Sequence, residues 1–483
     1  MKNIPNTFDL YTSISQKFSQ AVFWNLFFYI TYKFCSLALT YILYNSLEPI
    51  FFSNWASINA LLFLILLWLD LGFKKSIPRF APLFFKKPTL RFSFIATVIT
   101  TQTCMLVLGL IPFFYALYYC NIFDVFTISF GWNLPTMLAL LFITEGSKNL
   151  IQTIYHAHFK QKQFNLFAFS IHALETLFLL CLTAHTTLES SILIMYIFLL
   201  KTISNSIVIT TSCIAMNHIL FTHSNTDATV KTISEQQSAI ANIHTTQQET
   251  KALWKAFFIH SLFTWSTTAI KTLTERNMLF LYITHYFGAI AANTFKVFYD
   301  SALSFQRIII KSLGSADTAL LAHIHIHNHK NTTSVKNNTS PNTPSINSSD
   351  NSSDHMHHAV KTIANTIYKL ITLAVVIALT TYAIYYHSKL KYTKDMLTLF
   401  TIISVGYLLE ILLSPYERML EVQQHYRLLW LAYTPYIILI ASGALYTHLN
   451  SNTVSIIEII TGIQTARIIS SIIMWQICVH KSA

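Results

Sequence analysis

Blocks of about 20 apolar residues recur along nearly the whole of this 483-residue chain, and twelve of them are long enough to span a bilayer. The second block ends in Trp68-Leu-Asp-Leu-Gly-Phe-Lys-Lys-Ser-Ile-Pro-Arg-Phe80, where an acidic residue and a basic cluster meet the membrane edge. Hydrophobic residues make up 53% and charged residues only 11%, with 37 Phe, far from a soluble-domain average. A soluble helical core keeps a polar stripe at period 3.6. Leu61 to Leu69, and Ile371 to Leu379 apart from Thr372, are apolar all round, which points to lipid as their solvent. The expected fold class is therefore all-α and polytopic: two six-helix bundles around a central cavity.

The spans are expected near 22–45, 54–73, 92–119, 134–155, 164–184, 191–214, 254–283, 289–311, 363–387, 395–414, 428–447 and 454–478. The polar Met1 to Ser19 stretch and the length of the first apolar block argue for a retained anchor rather than a cleaved signal. The connection after the second span carries Lys74, Lys75, Arg79, Lys86, Lys87 and Arg91. The first, third and fifth carry Glu48, Asp124 and Glu189 and no Lys or Arg. By the positive-inside rule both termini are cytoplasmic, although Lys389, Lys391 and Lys394 fall on an outer turn against it. The net charge of +12 is thus a topology signal facing anionic lipid headgroups, and no nucleic-acid partner is expected. Six scattered cysteines without a Cys-x-x-Cys pair imply neither a disulfide framework nor a zinc site.

Two long cytoplasmic connections divide the chain: 1–214 is the first half, 215–253 a linker and 254–483 the second half. Within the second half, about 322–359 is rich in His, Asn and Ser, too poor in apolar residues to fold. Its seven histidines read as a low-complexity tract rather than a metal site, and no cofactor is expected. A faint echo links the halves, Trp24-Asn-Leu-Phe-Phe against Trp254-Lys-Ala-Phe-Phe, at the openings of the first and seventh spans.

Ionisable groups at membrane depth are costly and usually face a cavity or a partner. Phe257 to Ile270 is only 14 residues, about 21 Å, so the seventh span is expected to continue through Lys271-Thr-Leu-Thr-Glu-Arg276. That places Lys271, Glu275 and Arg276 at mid-depth. Lys33, Lys201, Lys271 and Arg276, from different helices of both halves, form the expected cationic lining for a phosphate-bearing substrate. Glu145, Glu175 and Glu275 are the expected ion-coupling carboxylates, Glu145 and Glu175 having no evident in-helix neutraliser beyond Lys148. The pairs Lys271/Glu275 and Lys296/Asp300 sit four apart and offer mutual neutralisation as the plainer reading. Lys148 and Asp70 are close enough to a helix end to snorkel.

Four stretches carry a family resemblance: Asn45-Ser-Leu-Glu-Pro49 with Trp55-Ala-Ser-Ile-Asn-Ala60, then Leu69 to Phe80, then Glu145-Gly-Ser-Lys-Asn-Leu-Ile-Gln-Thr-Ile, and Thr274-Glu-Arg-Asn-Met-Leu-Phe-Leu-Tyr-Ile-Thr. Together they resemble the polysaccharide (oligosaccharide-lipid) flippases of the MATE-like exporter superfamily. The turn after the first span lacks that family's glycine, and only 9 glycines occur in all. The resemblance implies alternating-access movement of polyprenyl-pyrophosphate-linked saccharide across a bacterial inner membrane, with membrane lipids and polysaccharide-assembly proteins as partners. An enzyme is not expected, because outer connections are short and no Gly-x-x-x-x-Gly-Lys-[Ser/Thr] is present. A multidrug exporter of the same superfamily, a peptidoglycan-precursor flippase and a membrane-embedded polymerase or ligase are the alternatives.

Overall fold

The computed structural model describes residues 7–85, 88–119, 133–157, 160–185, 189–221, 239–273, 275–302, 402, 416–417, 420–421, 425–449 and 455–482. The ninth expected span, the tenth apart from residue 402, and the His-rich insert lie outside them. Among the described residues every regular element is helical: α1 Thr7–Ser46, α2 Pro49–Leu69, α3 Phe73–Phe84, α4 Pro88–Tyr119, α5 Asn133–Ala157, α6 Gln161–His185, α7 Ser190–Phe221, α8 Ala239–Thr272, α9 Arg276–Ala302, α10 Tyr426–Leu449 and α11 Ile456–Ser482. The chain is an all-α polytopic membrane protein. Among the described residues five stretches are long and apolar enough to cross a bilayer, within α1, α2, α4, α6 and α7.

These spans differ in what surrounds them. In Leu26–Ser46 and Lys162–Thr183 only 17% of the most apolar window is buried inside the protein, against 56% in Pro49–Leu69. The all-round apolar character of Leu61 to Leu69 serves two surroundings, three of its leucines being buried while Trp68 is 42% exposed. Leu61, Leu62 and Leu66 face protein, because α2 is the hub around which α4, α7, α8 and α9 pack. Proline at the first position of α2 suits its start, where the missing N–H has no intrahelical partner to lose. By contrast α4 presents Ile111, Tyr115, Tyr118 and Tyr119 outward, each about 70% exposed, as a lipid-facing helix does.

The Asp70-Leu71-Gly72 turn joins α2 to the short α3. Leu71 and Gly72 both have left-handed backbone, with φ of 50° and 75°. A side chain on Gly72 would meet the Ser261 carbonyl, the Thr264 hydroxyl and, at 2.8 Å, the Trp265 amide nitrogen, so only glycine lets the turn seat on α8. Lys74 N–H donates to Asp70 Oδ2 over 3.1 Å, closing the turn. Burial pushes the Asp70 carboxyl up from its ordinary value, while the Lys74 amide and the charges of Lys74 and Lys75 draw it back. At 12 residues, about 18 Å, α3 is too short to span. It lies instead on an aromatic bed in which Phe73, Phe80, Phe84 and Phe94 surround Phe257 of α8.

The expected seventh span is corrected in two ways. It starts earlier, α8 beginning at Ala239 rather than near 254, and it breaks at 273–275 instead of running through to 283. Thr272 Oγ1 bonds back to the Thr268 and Ala269 carbonyls, and the amides of Leu273 and Glu275 reach only three residues back, to Ile270 and Thr272. Such side-chain competition and tightened turns end an α-helix. A second interruption follows at Gly288, whose φ of 81° and ψ of 174° divide α9 close to the boundary expected between the seventh and eighth spans. The echo at the start of the two halves has a local counterpart. Trp24 stacks on Phe28 and Trp254 on Phe258, in both cases with ring centroids 5.7 Å apart and planes within 26°.

Candidate functional site

Two polar clusters are built into this apolar frame. The first lies among α1, α2, α5, α6 and α7. Glu145 of α5 is 4% exposed, and its Oε2 accepts from Lys148 Nζ and from Asn205 Nδ2 of α7, both over 2.8 Å. Lys148 Nζ also donates to Asn205 Oδ1 at 2.8 Å, closing a three-membered ring of hydrogen bonds. Lys148 thus turns inward to its carboxylate rather than snorkelling. The ring satisfies a charge that hydrocarbon would otherwise leave unsolvated.

One turn from Asn205, Lys201 donates to Asn59 Oδ1 of α2 at 3.3 Å and lies over the Phe63 ring at 5.2 Å. It shares the electrostatic surroundings of Glu145, Lys148 and Glu175. Glu175 of α6 is buried too, with His172 Nδ1 3.1 Å from its Oε2. The His172 ring stacks on Tyr32 of α1 at 4.2 Å, and Tyr32 lies within electrostatic range of Glu145 and Glu175. The partner not foreseen for Glu175 is therefore a histidine three residues earlier on the same face. Three of the expected site residues, Lys201, Glu145 and Glu175, come together here. Lys33 follows Tyr32 on α1, half-buried.

The second cluster sits where α3 meets α8, α10 and residues 416–421. Lys271 Nζ donates to both oxygens of Glu417, at 2.7 and 2.6 Å, and Tyr433 Oη of α10 donates to Glu417 Oε1 at 2.9 Å. Lys75 Nζ pairs with Glu421 and lies 4.0 Å from Glu417. Arg79 donates through Nη1 to the Glu421 carbonyl at 2.8 Å and lies 3.3 Å from His260 Nε2. Lys271 thus pairs with Glu417, 146 residues away in sequence, a partner that lies well beyond helical spacing. Glu275 sits in the break between α8 and α9, half-buried, and Arg276 is the first residue of α9. The Arg276 and Asp300 side chains lie outside the described ones.

Glu417, Glu421, Lys75, Arg79, His172 and Asn205 are the participants that sequence reading passed over. A signal for four of them was present. Glu417 and Glu421 are four apart, on one face if helical, in a chain with only 20 acidic residues, and Lys75 and Arg79 repeat that spacing with opposite charge. Among the described residues no group of three His, Cys, Asp or Glu side chains could hold a metal ion.

No protein-family model and no curated protein matches this sequence. The fold does have a solved counterpart, a single-substitution variant of the Vibrio cholerae MATE transporter VcmN, at a TM-score of 0.58, covering 97% of each chain at 10% identity. The chain has a MATE transporter fold. On that MATE-type frame the two clusters occupy different kinds of place. The Glu145 ring is internal to the first six helices, whereas the Glu417 cluster joins α3 to elements that follow residue 239.

Proposed function

We propose that the chain is a MATE-like exporter that moves a polyprenyl-pyrophosphate-linked oligosaccharide from the inner to the outer leaflet of a bacterial inner membrane, by alternating access, for surface polysaccharide assembly. The observation that carries this reading is the gathering of cations from α3 and α8 at the junction. Lys75, Arg79 and Lys271 meet around Glu417 and Glu421, and the Lys75 and Lys271 side chains keep 17% and 30% of their surface exposed. Accessible cations gathered in this way suit an anionic, diphosphate-bearing substrate better than a cationic drug. Lys33, Lys201, Lys271 and Arg276 continue the cationic lining along α1, α7, α8 and α9. In this reading the termini and the Lys74 end of α3 are cytoplasmic, residues 215–253 link the two halves, and polysaccharide-assembly proteins receive the product.

Energy comes from an ion gradient or the membrane potential, worth about 2.3 kcal/mol per charge per 100 mV. Glu145, Glu175 and Glu275 are the coupling carboxylates, the first two being buried and both within electrostatic range of Lys201. A second reading, a cation-coupled exporter of other substrates, is favoured by the likeness to a MATE transporter itself.

Reconstitution in liposomes separates them. A fluorescent polyprenyl-pyrophosphate saccharide is expected to become protected from an external quencher, dependent on protein and on an imposed gradient, with the rate lowered in Lys33→Ala and Arg276→Ala. Efflux of cationic dyes without saccharide movement would establish the second reading.

A further inference from the structure

Glu175 answers to two groups at once. His172 Nδ1 lies 3.1 Å from its Oε2, and Lys201 of α7 lies within electrostatic range of it. A bare ring nitrogen would repel a carboxylate oxygen at that distance, so Nδ1 carries the hydrogen and donates it, and in the neutral ring Nε2 is left as a lone pair. Nε2 is buried and, among the described residues, has no hydrogen-bond partner, so no donor locks the ring in its neutral form. A charged ring would find the Glu175 carboxylate at one edge and the Tyr32 face stacked 4.2 Å away. The His172 side chain keeps 13% of its surface exposed, which leaves a proton a way in. The Glu145 ring is a poorer place for one, because Oε2 is already filled by Lys148 and Asn205.

Lys201 is the other party. Its hydrogen bond among the described residues is the 3.3 Å one to Asn59, so its ammonium group has donors left for a ligand, and Glu145 and Glu175 act on it without closing an ion pair. Protonation of His172 commits Glu175 to the imidazolium and thins the negative charge around Lys201. An anion is then held more tightly, and by linkage its arrival favours the proton in equal measure. We infer that His172 is a proton-linked switch on the Lys201 part of the cationic lining: a proton on its ring frees Lys201 from Glu175, so that diphosphate and proton bind together. The inference rests on the flippase reading for its substrate class, and adds to it a group, His172, and a sign, loading favoured by acid. Around the dyad stand Tyr32 of α1, with Tyr29 and Cys35 near it and Lys33 next in sequence, Glu145 and Lys148 of α5, and Lys201. None of these is of a type that ordinarily changes charge between about pH 5 and 8, as an imidazole does.

Binding of geranylgeranyl-diphospho-N-acetylglucosamine to the full chain in nanodiscs tests this. The probe is a diphosphate diester and so lacks the monoester ionisation at about pH 6 that would mimic the effect. Wild-type affinity is expected to rise about tenfold from about pH 8 to about pH 6, with proton uptake on binding read by calorimetry in buffers of different ionisation heat. His172→Gln keeps a donor for Glu175 but takes no proton, and should bind at the weaker, alkaline level throughout. Glu175→Gln removes the charge that the imidazolium would occupy, and should bind at the tighter level throughout. Should His172→Gln lose its monodisperse profile, Glu175→Gln carries the test. A rise toward acid that persists in either variant overturns the switch, as does wild-type binding that is flat with pH, and both leave the flippase reading standing. Binding that Lys201→Gln leaves unchanged is at another place on the molecule and overturns the inference. Absence of probe binding in the wild type and every variant at either pH overturns the flippase reading with it.

Discussion

The Glu145 ring and the Glu417 cluster use the same chemistry, carboxylates held by lysines at 2.6–2.8 Å, in opposite structural settings. The ring is closed within five packed helices of the first half, where α5 lies along α7 and α1 along α6. The cluster crosses between elements separated by 146 to 346 residues in sequence. The same bond therefore does two jobs. Inside one bundle it satisfies a buried charge and fixes a helix pair; across a junction it joins elements that the proposed alternating-access cycle would have to separate.

Substitution of Glu145 is expected to show the largest effect. Glu145→Ala leaves Lys148 buried with one partner fewer, and a loss of about 3–5 kcal/mol should appear as a lower unfolding temperature in detergent. Glu145→Leu combined with Lys148→Met should recover most of that loss, since an apolar pair of similar volume replaces the ion pair. Recovery of stability without recovery of transport would separate the two roles of Glu145. A double variant as unstable as the single one would show that the ring is not what holds α5 to α7.

The junction can be sharpened with its two left-handed glycines. Gly72→Ala combines a φ of 75° with contacts against the α8 backbone and should cost about 3 kcal/mol, whereas Gly288→Ala meets nothing within 4 Å and should cost only the backbone strain, about 1–3 kcal/mol. Thermal unfolding measured side by side would reveal the contribution of the seat on α8, and equal losses would remove it. The smallest stability change is expected for Lys201→Ala, within about 1 kcal/mol, because Lys201 is half-buried and has a weak 3.3 Å bond to Asn59. Its transport rate should nonetheless fall about tenfold, and a normal rate in the liposome assay would remove Lys201 from the lining.

Much of the frame was legible because lipid and protein interiors both demand long apolar runs, and α4, α5 and α6 begin and end close to the expected limits. The helix break at 273–275 was not, since hydropathy averages over about 20 residues and does not register threonine hydroxyls bonding back to carbonyls. Among site residues, local sequence exposed the ionisable groups but only those partners within one turn. Lys148 for Glu145 was readable at three residues' distance; Glu417 for Lys271 and Asn205 for Glu145 were not, because helix packing rather than spacing brings them together. Apolar patterning also could not say whether Leu61 to Leu69 faced acyl chains or neighbouring helices, as both solvents select the same residues.

The interruption between α8 and α9 changes what the polypeptide between 254 and 302 can transmit. Below it, α8 is seated on the Gly72 turn and ion-paired to Glu417; above it, α9 packs along α2, with Asn293 donating to the Pro49 carbonyl at 2.8 Å. An unbroken rod would carry any tilt at one end to the other in full, as a lever does. A jointed one lets each arm tilt by its own amount, even though both pack against α2 and Trp68 of α2 donates to Thr272 at the joint.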